Sequence, residues 1–114
     1  MTLYLPPEQQ RWQSIDVRGI PMQACRLWEG SHHVESGLYR LPAGLTIPSH
    51  HHPLWCQVFV VHGTMEVQAD CDPQPHTIGA GGFYFVEPGD THRETALADT
   101  TLLVICDDDN PIPI

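Results

Sequence analysis

No lysine occurs among the 114 residues; the five basic side chains are the arginines Arg11, Arg18, Arg26, Arg40 and Arg93. That absence excludes Schiff-base chemistry, pyridoxal phosphate attachment and a P-loop lysine. Set against 14 acidic residues, five arginines leave a formal net charge of -9. Nucleic acid is not an expected partner, because binding it requires a cationic surface that displaces counterions. The cysteines Cys25, Cys56, Cys71 and Cys106 form no C-x-x-C pair, which removes a zinc knuckle or a thioredoxin-type site. Cys25, Cys71 and Cys106 read as small buried apolar residues. No apolar run approaches the roughly 18 residues of a membrane span. The opening Met1-Thr2-Leu3-Tyr4-Leu5-Pro6-Pro7 has neither a basic segment nor a long apolar one. No membrane contact and no secretory signal are therefore expected, and the cytoplasm is the expected location.

What is present is punctuation. Nine glycines and eleven prolines separate apolar clusters of four to seven residues, among them 22–28, 37–41, 56–61, 64–69, 83–87 and 100–106. Their spacing, close to eight to twelve residues, is that of short strands joined by turns in an all-β sandwich or barrel. No segment keeps a helical apolar period beyond two turns; residues 7–12, with proline in the first turn, read as a single helical turn. The length fits one domain, 1–114. Its patterned core is about 37–106, flanked by an N-terminal arm over 1–20 and an acidic tail over 107–114. Trp55, Phe83 and Phe85 read as core.

Eight histidines outnumber the arginines, and imidazole is the commonest side-chain ligand for metals. Ser49-His50-His51-His52-Pro53 follows an extended segment over 44–48. On a strand, neighbouring side chains face opposite ways, so His50 and His52 share one side and His51 takes the other. Two imidazoles so placed can bind one ion. The expected third is His92, which follows the turn Glu87-Pro88-Gly89-Asp90-Thr91 and opens another strand. Glu94 shares the parity of His92, which allows it to hold a second hydrogen bond at the site or to act as a base. Arg40, beside Tyr39 and Glu35, is a candidate for steering an anionic substrate. His32, His33 and His62 fall in loops or turns and read as exposed.

These two segments resemble the motifs of the cupin superfamily. The first cupin motif runs G-x5-H-x-H-x(3,4)-E-x6-G, matched by Gly44, His50, His52 and Gly63. The second runs G-x5-P-x-G-x2-H-x3-N, followed by Gly81, Gly89 and His92, with Pro88 one place late and Ala96 for the asparagine. The resemblance implies a single cupin jelly-roll β-barrel, a small-molecule pocket at its mouth and a homodimer. It also implies a divalent metal on His50, His52 and His92: Fe(II) first, with zinc, manganese or nickel as alternatives.

The glutamate of the first motif is missing. Cys56 or Gln57 occupies its place, depending on the direction of counting, and strand parity lets only one of them face the metal. Three neutral imidazoles leave a divalent ion with its full charge, which favours an anionic chelating substrate. Within cupins such sites resemble those of dioxygenases that cleave diketones and related compounds. The expected function is an Fe(II) dioxygenase acting on an enolisable ketone, β-diketone or similar chelator. The alternatives are a non-catalytic metal or small-molecule binding or sensor module, and an isomerase-like cupin.

Overall fold

The computed structural model describes residues 1–52 and 54–107, with only the backbone given at His33. The acidic tail expected over 107–114 therefore lies outside the described residues from 108 onward, and Asp107 closes the last strand. The chain forms β1 (Gln13–Val17), β2 (Ile20–Glu29), β3 (Val34–Leu41), β4 (Thr46–His50), β5 (Cys56–His62), β6 (Thr64–Ala69), β7 (His76–Gly79), β8 (Phe83–Val86), β9 (His92–Ala96) and β10 (Thr100–Asp107). The expected helical turn is a 3-10 turn over Pro7–Gln9. No helix among the described residues is long and apolar enough to cross a membrane.

The strands assemble into two antiparallel sheets, one of six strands in the order β1-β2-β3-β10-β5-β8 and one of four in the order β4-β9-β6-β7. This is an all-β fold, as the spacing of the apolar clusters predicts, and the jelly roll that the resemblance implies. Each strand spends one parity on the space between the sheets. Along β5, Cys56, Val58 and Val60 are buried while Phe59 and Val61 are exposed. The six-stranded sheet contributes Met22, Leu41, Val58, Val60 and Leu102 to the core; Ile47, Met65 and Ala96 face them from the other sheet.

Two turns do specific work. Arg18 and Gly19 both have positive φ, 53° and 84°, and Val17 pairs directly with Ile20 across them. That is a two-residue hairpin turn whose twist matches the flanking strands. The Asp16 carboxylate accepts the Gly19 N–H at 2.7 Å and braces it. Gly63, at φ 89°, carries the chain from β5 in one sheet to β6 in the other. A methyl group there would overlap the Asp99 carbonyl and the Thr100 side chain.

Several expectations need correction. Within the arm expected over 1–20, residues 13–17 form a strand of the body, because β1 pairs with β2 along its length. Its mixed composition hides an alternation in which Ile15 and Val17 pack against the core. Strand β7 escapes sequence reading because only Ile78 of its residues is apolar; the backbone ladder to β6 defines it. Phe83 and Phe85 are not core: they are 45% and 50% exposed, because Tyr84 and Val86 take the inward parity of β8. Trp55 is half-buried, and Cys71 is exposed rather than buried, whereas Cys25 and Cys106 are buried as expected.

Gly63→Ala is expected to destabilise the fold by more than Gly44→Ala. Gly44 also has positive φ, 88°, but a methyl group there meets nothing within 4 Å. Its cost is then the left-handed backbone penalty alone, about 1–2 kcal/mol. Urea denaturation of the two variants checks the order.

Candidate metal centre

His50 ends β4 and His92 opens β9, and the two stand opposite each other in the register of these paired strands. His52 lies just beyond the end of β4 rather than on it, yet its ring reaches the same side, with its centroid 5.1 Å from that of His50 and 5.5 Å from that of His92. One ligand atom from each of His50, His52 and His92 lies within 4.8 Å of the others, so the three form a possible metal site. His51 is exposed, facing away as strand alternation requires.

The tautomers are set by the backbone. His50 Nδ1 is 2.7 Å from the Pro48 carbonyl, and His92 Nδ1 is 3.3 Å from the Asp90 carbonyl. A carbonyl only accepts, so each Nδ1 carries the proton and donates. Nε2 of both rings is thereby turned toward the site, the orientation typical of metal-binding histidines.

Glu94, on the same face of β9 as His92, completes a buried polar group. It is 6% exposed, and its Oε1 lies 3.0 Å from His92 Nε2 and 3.5 Å from His50 Nε2. It is not part of the mutually close histidine set but touches two of its members. Its other oxygen accepts a hydrogen bond from the Tyr84 hydroxyl. Burial alone would push the Glu94 carboxyl up. The hydrogen bond and charge of His92, helped by Tyr84 and His50, outweigh burial and hold it below the usual carboxylate range. Burial pulls His50 below the ordinary histidine value. It pulls on His92 as well, but the hydrogen bond and charge of Glu94 prevail and raise that pKa. The Tyr84 phenol is pushed well up, first by burial and then by the Glu94 charge, so it stays protonated as a donor.

The histidines and Glu94 line a cavity of about 300 Å³ between the sheets. Met22, Leu41, Ile47, Val58, Val86 and Leu102 supply apolar wall. Cys56 is buried and lines this cavity, without belonging to the three-histidine cluster. Gln57 has the opposite parity, pairing with Phe85 and Ile105 on the outer side, and does not line it. The ambiguity left by the first motif thus resolves to Cys56 inward and Gln57 outward.

Arg40 is not at the site. Tyr39 and Leu41 take the inward parity of β3, and Arg40 lies on the other face with its guanidinium 3.7 Å above the Trp12 ring. Its neighbour in the sequence analysis, Glu35, is buried and pairs with Arg26 at 3.3 Å. The arginine that lines the cavity is Arg18, whose Nη2 donates to the His51 carbonyl at 3.2 Å. Sequence reasoning missed both Arg18 and Tyr84. The first sits in a hairpin turn, and the second is one aromatic among three in a row; the parity shared by Tyr84 and Val86 was the available signal. His32 and His62 are exposed as expected, and the side chain of His33 lies outside what is described.

An all-β jelly roll with a possible three-histidine metal site inside it is the architecture of a small cupin domain. The Cupin domain family model matches residues 37–106, and the chain belongs to the cupin family. A search of curated protein sequences finds no match. Solved structures similar in fold include a predicted oxalate decarboxylase from Thermotoga maritima, with TM-score 0.77 and 16% identity over 91% of this chain and 97% of that one. An RmlC-like cupin from Ralstonia eutropha has TM-score 0.77 and 17% identity, covering 99% of this chain and 78% of the other. KdgF from a Halomonas species has TM-score 0.73 and 18% identity, with 93% and 92% covered. At these identities the likeness is one of fold.

His50→Ala, His52→Ala and His92→Ala are each expected to lower affinity for a divalent ion at least tenfold, and His51→Ala to leave it unchanged. Cys56→Ser and Gln57→Ala are expected to retain the ion. Calorimetric titration of metal-stripped protein with Zn(II) or Co(II) measures this; equal loss in His51→Ala would overturn the site.

Proposed function

We propose that this cupin is a metal-dependent enzyme of small oxygen-chelating molecules, and specifically an Fe(II) dioxygenase that cleaves an enolisable ketone or β-diketone. The observation that carries the proposal is the convergence of three imidazoles on a partly open cavity of about 300 Å³ with apolar walls. The donor set fits the ion, since imidazole suits first-row transition metals including iron. The carbonyl-anchored Nδ1 atoms of His50 and His92 support it, because they leave Nε2 free to ligate.

His50, His52 and His92 would hold the iron. When bound, Fe(II) supplies the point at which a chelating enolate and dioxygen meet. The chain does the rest. The apolar walls exclude water and hold a compact substrate. Arg18, lining the cavity, offers guanidinium N–H groups to an anionic oxygen and replaces Arg40 in the steering role. The overall reaction balances with no further reagent. A β-diketone and one dioxygen give one carboxylic acid and one 2-oxoaldehyde, with the bond between the central carbon and one carbonyl carbon broken and both oxygen atoms retained in the products.

Anaerobic loading with Fe(II), followed by oxygen-electrode assays with acetylacetone, simple ketols and hydroxylated aromatic ketones, tests the reading. One dioxygen consumed per substrate, only when substrate is present, with a carboxylic acid as product, is the expected result; a chelator should abolish it. If the iron form binds none of these compounds and consumes no oxygen with any of them, the dioxygenase reading falls and a non-catalytic binding module takes its place. With an active substrate, Arg18→Ala should raise KM about tenfold or more, the scale of one lost charge-assisted hydrogen bond. Arg40→Ala should leave KM unchanged.

A further inference from the structure

The family pattern draws its carboxylate from the first motif, and this chain has none there. Cys56 faces the cavity, and Gln57 faces away. A carboxylate nevertheless reaches the histidines from the opposite strand. Glu94 Oε1 lies 3.0 Å from His92 Nε2 and 3.5 Å from His50 Nε2. Two donors that share one divalent ion at about 2.1 Å lie about 3.0 Å apart at a right angle and about 3.4 Å apart at the tetrahedral angle. The two observed separations match those edges; Glu94 lies outside the mutually close set that includes His52, so ligation by all four residues would draw Glu94 and His52 closer together.

The hydrogen-bond inventory points the same way. The Nδ1 proton of His92 is committed to the Asp90 carbonyl, and that of His50 to the Pro48 carbonyl. Without an ion, His92 must carry a second proton, on Nε2, to hydrogen-bond Glu94 Oε1 at 3.0 Å. A divalent ion can take the place of that proton, between Oε1 and the Nε2 atoms of His92 and His50 at 3.0 and 3.5 Å. A carboxylate that is 6% exposed needs positive charge of one kind or the other beside it.

We infer that Glu94 is the anionic metal ligand of this centre, a carboxylate transposed from the first motif to β9, and that Tyr84 is its positioning residue. The inference rests on the metal-binding reading above. It gives the site a simple construction from two i, i+2 pairs on neighbouring strands, His50 with His52 and His92 with Glu94, meeting where His50 pairs with His92. The Tyr84 hydroxyl occupies the second oxygen of Glu94, which leaves Oε1 for the ion. The charge of a bound divalent ion then drops by one, and Arg18 becomes the main attraction for an anionic substrate.

The test is titration of the full-length, metal-stripped protein with Co(II), read by calorimetry and by the visible d–d absorption, which reports ligand type and geometry. Glu94→Gln keeps the shape and the hydrogen bond from Tyr84 but removes the charge. It should weaken Co(II) binding by about 10- to 100-fold and shift the absorption. Glu94→Asp, which keeps the charge, should restore part of the affinity, and serves if Glu94→Gln does not fold by circular dichroism. Tyr84→Phe should lower affinity less than Glu94→Gln does, with a small shift of the same bands. Wild-type affinity and an unchanged spectrum in Glu94→Gln would overturn the inference while leaving the three-histidine site standing. A wild-type protein that takes up no Co(II) would overturn the metal reading itself, and this inference with it.

Discussion

The site depends on one strand pairing. Where β4 ends and β9 begins, His50 lies opposite His92, and that register brings two separate chain segments to one point. Side chains two apart on a strand share a face, so the pairing also carries Glu94 to the same place, and His52 reaches it from just beyond the end of β4. A slip of one residue would turn His92 and Glu94 outward and replace them with Thr91, Arg93 and Thr95. The register is held from the other side of β9 as well, where β6 pairs Ala69 with His92 and Val67 with Glu94.

Electrostatics give that geometry its chemical character. In a protein of net charge -9, the interior cavity gathers three imidazoles, the carboxylates of Asp16 and Glu94, the phenol of Tyr39 and the guanidinium of Arg18, with the Tyr84 hydroxyl bonded to Glu94. Burial opposes charge on His50, His92, Glu94 and Tyr84, and their mutual contacts decide the outcome. Glu94 stays acidic because His92, Tyr84 and His50 support its charge. Tyr84 stays protonated because burial and that same charge oppose its ionisation. The apolar walls sharpen these interactions by keeping the dielectric low.

Much of the fold was legible in the chain. Apolar clusters at strand length, punctuated by glycine and proline, correspond to β2, β3, β5, β6, β8 and β10, and the histidine segment to β4 and its exit. Periodicity failed where strands are held by backbone pairing rather than by an apolar face. This was so for β7, with one apolar residue, and for β1, whose alternation sits in a polar stretch. It also misplaced Phe83 and Phe85: hydrophobicity marks a strand but does not say which of its two faces meets the core, and in β8 both faces are aromatic until Val86.

The sequence by itself determined the spacing of His50, His52 and His92, the loss of the motif-one glutamate and the shared parity of His92 with Glu94. These are local properties, set by alternation along a strand. Only the tertiary structure decided that Cys56 rather than Gln57 faces inward, that Arg18 rather than Arg40 meets the cavity, and that Tyr84 holds Glu94 beside the histidines. Each of those facts is a relation between strands far apart in the chain. Alternation yields two possible faces for every strand, and the packing of one sheet against the other selects between them.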